Sequence, residues 1–193
     1  MTHMTNRQRI VDLVDRLGRM GHNLQFSGGL NPAQWETLRF LARANRYSRS
    51  PGALAEYLGT TKGTASQTVN ALEVKGYLRR SPCPTDRRSV RLELTEAGKR
   101  LVESDPMLSV SRAADELSEA ECEVLAEGIG RLVDSLRRAH DRRAFGLCGE
   151  CSHNDMSDQG CEAATQCRCA LTGELVVGDE LDRICINFEP AGG

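Results

Sequence analysis

Apolar residues recur every three or four positions through the first part of the chain, and residues that start or stop helices bound each run. Ile10, Leu13, Val14 and Leu17 form a stripe that predicts a helix from about Thr5 to Met20, ended by Gly21 and the polar stretch to Gly29. Asn31-Pro32 sets an N-cap and a first-turn proline for a second helix, whose buried side is Trp35, Leu38, Phe40 and Leu41. Ser50-Pro51 repeats that signal for a short helix to Leu58 that buries Leu54 and Leu58 and stops at Gly59. A longer helix is expected from Lys62 to about Lys75, with Ala65, Val69 and Leu72 inward and Gly76 as its stop.

After Gly76 the period falls to two. Tyr77 to Arg80 predicts one short strand, and Val90, Leu92 and Leu94, alternating with Arg91 and Glu93, predict another. Ser81 to Arg88, rich in proline and polar residues, is expected to form an exposed hairpin tip. Thr95 caps a further helix containing Ala97, Leu101 and Val102. From Asp105 to about Ala144 the pattern is helical in two pieces: Leu108, Val110, Ala113 and Leu117 belong to the first, and Ser118 with Glu121 makes a capping box for the second. Val124, Leu125, Ile129, Leu132, Val133 and Leu136 give that last helix a broad apolar side, expected to pack against a second copy of the chain. From Phe145 onward the chain is rich in Cys, Gly and Asp and shows little periodicity. The expected fold is mainly α with a small β-wing: a winged helix-turn-helix with dimerisation helices over residues 1–144, and a cysteine-rich C-terminal extension over residues 145–193.

Composition sharpens this picture. Aromatic residues make up only 4%, so the core must rest on Leu, Val, Ile and Ala, as packed helices allow. No apolar run approaches the roughly 18 residues of a membrane span, and the N-terminus lacks the apolar stretch of an export signal, so a cytoplasmic protein without membrane contact is expected. The net charge of −2 hides an asymmetry: residues 31–100 carry 13 basic and 6 acidic side chains, whereas residues 101–193 carry 8 and 19. A basic middle suits a partner bearing phosphates.

A helix, a glycine turn, a longer helix and an arginine-bearing hairpin in that order suit DNA, because a helix fits the major groove and the hairpin reaches neighbouring phosphates or the minor groove. With Ala65, Val69 and Leu72 buried, the opposite face of the longer helix carries Lys62, Gly63, Ser66, Gln67 and Asn70. Gln and Asn can pair with an adenine edge, Lys with guanine or phosphate, and Ser with either. Gly63 allows close approach to the DNA backbone.

The stretch Leu54-Ala55-Glu56-Tyr57-Leu58-Gly59, then Thr64 to Arg80, then Asp86-Arg87-Arg88-Ser89-Val90-Arg91-Leu92-Glu93-Leu94-Thr95-Glu96-Ala97-Gly98, resembles the MarR family of regulators. The resemblance runs from about residue 5 to residue 144. It implies a non-enzymatic, dimeric regulator of double-stranded DNA that binds a palindromic operator, usually as a repressor released by a small-molecule effector or by cysteine oxidation. It also implies that Arg88 enters the minor groove, held by Asp86, and that Arg87 and Arg91 contact phosphates.

The tail departs from that family, most of whose members end near the last helix. Cys148-x2-Cys151 is followed by 17 residues to Cys169 and 15 more to Cys185. A C-x2-C pair lets two thiolates converge, and two distant thiolates complete a set of four, which serves zinc and iron–sulfur centres alike. One tight pair followed by single cysteines is more familiar from iron–sulfur sites. The segments around Cys148 and Cys185 are similar, over a short span, to small modules that bind an iron–sulfur cluster of the 4Fe–4S type. The expected centre is therefore an iron–sulfur cluster on Cys148, Cys151, Cys169 and Cys185, with zinc as the alternative and metal-free thiols as the third reading. Cys167 is the first substitute ligand, Cys161 lies between the proposed ligands, and His153 is another potential donor. Cys83, in the wing, and Cys122, on a helix, stand alone. The rival functions are an iron–sulfur electron-transfer component or enzyme, and a module using the wing without reading DNA sequence. The chain shows no phosphate-cradling glycine loop and no Ser/His/Asp set, and Gln67 and Asn70 beside Lys62 weigh against the second rival.

Overall fold

Side-chain caps set most of the helix starts. Thr5, Asn31, Ser50, Thr61, Thr95 and Ser118 each accept a hydrogen bond from the backbone N–H three residues on, satisfying one of the otherwise orphaned donors. At Thr5, Asn31 and Ser118 the bond is reciprocated by Gln8, Gln34 and Glu121. The computed structural model describes residues 4–82, 89–155 and 166–190. It contains α1 (Asn6–Leu24), α2 (Pro32–Arg43), α3 (Pro51–Leu58), α4 (Lys62–Val74), β1 (Leu78–Pro82), β2 (Val90–Leu94), α5 (Glu96–Val102), α6 (Leu108–Ala114) and α7 (Glu119–Ala139). The tail adds β3 (Gly146–Leu147), β4 (Asn154–Asp155), β5 (Gln166–Cys169), β6 (Leu175–Val177) and β7 (Ile184–Cys185).

One core joins α2, α3, α4 and the wing. Leu38, Phe40, Leu54, Ala65, Val69, Leu72 and Leu92 are fully buried there, beside Trp35. The wing is an antiparallel pair with Leu78 opposite Leu94 and Pro82 opposite Val90. Gly59, with φ of 61°, ends α3 in the left-handed conformation that turns the chain into α4. Asp105 is buried and pairs with Arg39 at 3.0 Å, fastening α2 to the segment before α6. Among the described residues no helix is long and apolar enough to cross a membrane.

Several boundaries differ from the sequence expectation, each for a local reason. Helix α1 continues through Gly21 to Leu24, because Met107 packs over the glycine and the Gln25 side chain donates to the Gly21 carbonyl at 2.9 Å. Strand β1 runs on through Ser81 and Pro82, residues expected in the hairpin tip. The proline closes the ladder, where its missing N–H costs little. Helix α7 stops at Ala139, and Asp141 follows in the left-handed region at φ 48°. Leu58 is half-buried rather than buried.

The tail has more core than its composition promised. Strand β3 pairs with β7, and β4, β5 and β6 form a second antiparallel sheet. Ile184 belongs to the main core, and Phe145, Leu147 and Ile186 pack against it. The segment Ala44–Ser50, between α2 and α3, is gripped from both sides. The Leu92 N–H of the wing donates to Arg49 O at 2.8 Å, the Asn45 N–H donates to Ile184 O at 2.9 Å, and the Ile186 N–H donates to Ser48 Oγ at 2.8 Å. Helices α1 and α7 are the reverse case. Helix α7 has no buried residue, and α1 buries only Gly21.

Candidate nucleic-acid interface and cysteine cleft

Helix α4 exists because Ala65, Val69 and Leu72, all fully buried, fasten one of its faces to α2 and α3. What remains faces out. Lys62, Gly63, Gln67 and Asn70 are exposed and Ser66 is half-exposed. A Cβ on Gly63 would meet only Thr61 Oγ1, at an ordinary 3.7 Å, so nothing in the chain itself demands glycine there. Gln67 makes no side-chain hydrogen bond among the described residues, whereas Asn70 is engaged: Arg80 Nη2 donates to its Oδ1 at 2.6 Å. Arg80 also pairs with Glu73, so the first strand of the wing is clamped to α4. Bidentate pairing of Asn70 with adenine requires its oxygen to be shared with Arg80. The sequence carries no local sign of this role, because the partners lie on a helix and a strand that only the fold brings together.

Arg91, expected at phosphate, is half-buried on β2. Its Nε lies 3.6 Å from Glu93 Oε1, and Arg79 donates to the same carboxylate at 2.8 Å. Nearby Arg49 has a pKa lowered below the usual arginine value by burial and by the positive charges of Arg183 and Arg91. Arg88, expected in the minor groove, Asp86, expected to hold it, and Arg87, expected at phosphate, lie outside the described residues, as do Cys83 and Cys161.

The tail gathers its cysteines on one cleft. Cys148, Cys151, Cys167, Cys169 and Cys185 line it together with Tyr47, His153 and Asn187. Cys167 and Cys169 fall two apart on β5 and so share a face of the strand. Cys148 and Cys185 approach because β3 and β7 pair, and they share a hydrogen bond. That bond from Cys148 lowers the Cys185 pKa to about 6, and donating it, together with burial, pushes Cys148 up. Three N–H groups point at three sulfurs, each at 3.4 Å: Asn45 Nδ2 to Cys148, the Asn187 amide to Cys185 and the Glu189 amide to Cys151. Cys148, Cys151, Cys169 and Cys185 form no disulfide. Among the described residues no three His, Cys, Asp or Glu side chains are already gathered into a geometry that would hold a metal ion.

Tyr47 closes one side of the cleft. Its hydroxyl donates to Glu174 Oε2 at 2.6 Å, and burial and that bond push its pKa up to about 12. Asn45, fully buried, was not foreshadowed by any motif. Its Oδ1 accepts from the Tyr47 and Ser48 amides and from Ser48 Oγ, while its Nδ2 reaches Cys148.

Comparison with known proteins places this arrangement. Residues 28–89 match the MarR family. The HTH-type transcriptional repressor YetL of Bacillus subtilis (strain 168) is 26% identical over 132 residues, spanning 65% of this chain and 79% of YetL. The HTH-type transcriptional regulator PecS of Dickeya dadantii (strain 3937) is 34% identical over 74 residues, 38% of this chain and 45% of PecS. Among solved structures, Streptococcus pneumoniae FabT in complex with DNA superposes with a TM-score of 0.55 at 26% identity, covering 69% of this chain and 99% of FabT. The S. aureus MepR–DNA complex gives 0.54 at 21% identity over 68% of this chain and 96% of MepR, a likeness of fold.

Proposed function

Because this chain carries a MarR-family winged helix-turn-helix domain, we propose that it is a sequence-specific transcriptional repressor that binds a palindromic operator as a homodimer. The observation that supports DNA reading best is α4. Its apolar face is locked into the core, so Lys62, Ser66, Gln67 and Asn70 are presented on a rigid support beside a paired wing. At about 20 Å for 13 residues, the helix suits a major groove roughly 12 Å wide. The FabT complex, at 26% identity, is a relative of the same fold that holds DNA.

Selection of binding sites from random duplex DNA, followed by fluorescence anisotropy, tests this reading. The chain is expected to select a two-fold symmetric site, and its affinity is expected to fall steeply with salt as phosphate counterions are released. Gln67→Ala should cost about 1–3 kcal/mol on the selected site, roughly 5- to 150-fold, and relax preference at the base pair it reads. Binding to unrelated DNA should hardly change. Equal affinity for all duplexes would overturn the proposal.

The dimer rests on two unpartnered faces. Ile10, Val14 and Leu17 on α1 are about half exposed, as are Leu125, Ile129, Leu132 and Leu136 on α7. Isolated in water, such stripes waste burial worth about 25 cal/mol per Å². A second copy brings the same two stripes and covers them by symmetry. Ile129→Glu places an unpaired charge in that interface, and about 3–5 kcal/mol of destabilisation is expected. Sedimentation equilibrium should show a dimer weakened more than roughly a hundredfold. An unaltered dimer would remove α7 from the interface.

A further inference from the structure

We infer that Cys148, Cys151, Cys169 and Cys185 form a thiolate metal centre, filled by zinc or by an iron–sulfur cluster, and that Asn45 ties it to the DNA-binding body. Two lines of geometry converge on this. The sulfurs come from four separate places in the tail, the turn after β3, the segment before β4, the end of β5 and the strand β7, and line one cleft. Such convergence is what tetrahedral thiolate coordination requires. Next, three different sulfurs each accept an N–H bond, one of them from the amide two residues beyond its own cysteine. A neutral thiol is a weak acceptor, so donors aimed at several sulfurs fit thiolates better, and hydrogen bonds of this kind orient and tune metal-bound sulfur.

Loading draws the sulfurs together and releases the thiol protons to solvent, so binding free energy becomes folding free energy of the tail. The strands here are two to four residues long and cannot hold a sheet by themselves. Asn45 gives the centre a link to the rest of the molecule. The same amide that donates to Cys148 Sγ shapes the turn before α3 through its oxygen.

The test uses the full chain prepared without oxygen and loaded in separate samples with zinc(II), or with ferric iron, sulfide and dithiothreitol, the thiol supplying the two electrons that take four ferric ions to the 4Fe–4S oxidation level. About one zinc per chain, or about four irons and four sulfides with broad visible absorption, is expected to survive desalting, and the surviving arm identifies the metal. Maleimide alkylation mapped by peptide mass should show Cys148, Cys151, Cys169 and Cys185 protected when loaded and modified after chelation, with Cys122 indifferent to metal. The mapping uses the unaltered protein, so it does not depend on a cysteine variant folding. Asn45→Asp keeps the oxygen that shapes the turn and removes the donor to Cys148, and it should weaken metal affinity about 10- to 100-fold in chelator competition. No metal in either arm, or equal alkylation of the four cysteines with and without metal, would overturn the centre. Unchanged affinity in Asn45→Asp would overturn the link. None of these readouts involves DNA, so they stand or fall separately from operator binding.

Discussion

Trp35→Ala will cost about 3–5 kcal/mol of folding stability, a large share of the 5–15 kcal/mol that a domain of this kind commands. Trp35 is 1% exposed, sits among Leu38, Leu41 and Leu72 in the core, and donates its indole N–H to Ser27 O at 3.2 Å. Alanine leaves a cavity and removes one of the two hydrogen bonds to Ser27 O, which keeps the one from the Leu30 amide at 3.0 Å. The helix it anchors, α2, is the floor on which α3 and α4 rest, so DNA affinity should fall in step with stability. Urea unfolding followed by circular dichroism measures the loss, because the variant has no tryptophan left to report fluorescence. A cost below about 1 kcal/mol would mean that the site collapses around the deletion and that the core is centred elsewhere.

Gly98→Ala should also destabilise the fold, and its sign is the informative part. Alanine is normally better than glycine inside a helix by about 1 kcal/mol. In α5, however, a Cβ at position 98 would stand 2.1 Å from the Tyr77 carbonyl oxygen. That oxygen is backbone and already accepts from the Thr95 amide at 3.1 Å, while Thr95 Oγ1 donates to Gly76 O at 2.7 Å. Neither side can yield without prising the start of β1 from the start of α5. Overpacking of this kind costs about 1–3 kcal/mol and here belongs at the upper end. A chemical denaturation midpoint unchanged or raised in the variant would show that α5 can shift freely. The close approach explains why the run Leu94-Thr95-Glu96-Ala97-Gly98 reads as a unit: threonine caps the helix and glycine lets it lie against the strand.

These two sites show what was legible in the sequence. Caps and breakers are local chemistry, so Asn31-Pro32, Ser50-Pro51, Gly59, Thr95 and Ser118 mark their helices without knowledge of the fold. The inward face of α4 was legible because three apolar residues at helical spacing can point only one way. Gly21 misled because a glycine that looks like a stop is tolerated where another chain segment, here Met107, packs over it. The clamp of Arg80 on Asn70 and the reach of Asn45 to Cys148 were illegible. In the second case 103 residues separate the partners, and no periodicity or spacing encodes such a meeting. The C-x2-C pair announced that sulfurs would converge, but not that they would do so against the turn before α3.

The docking of β7 on Ala44–Ser50 also bears on how the protein is made. Ile186 and Ser48 are 138 residues apart in the chain, yet Ile184, beside Ile186, completes the same core as α2 and α3. At roughly 5–20 residues per second of synthesis, the early helices wait about 7–28 s for the strand that seals them. During that interval the apolar seat of Ile184 and the unpaired backbone of the turn stand open on a nascent chain. Among the described residues every other buried member of that core precedes residue 93, so the late strand adds the last side chain to a core that is otherwise already synthesised.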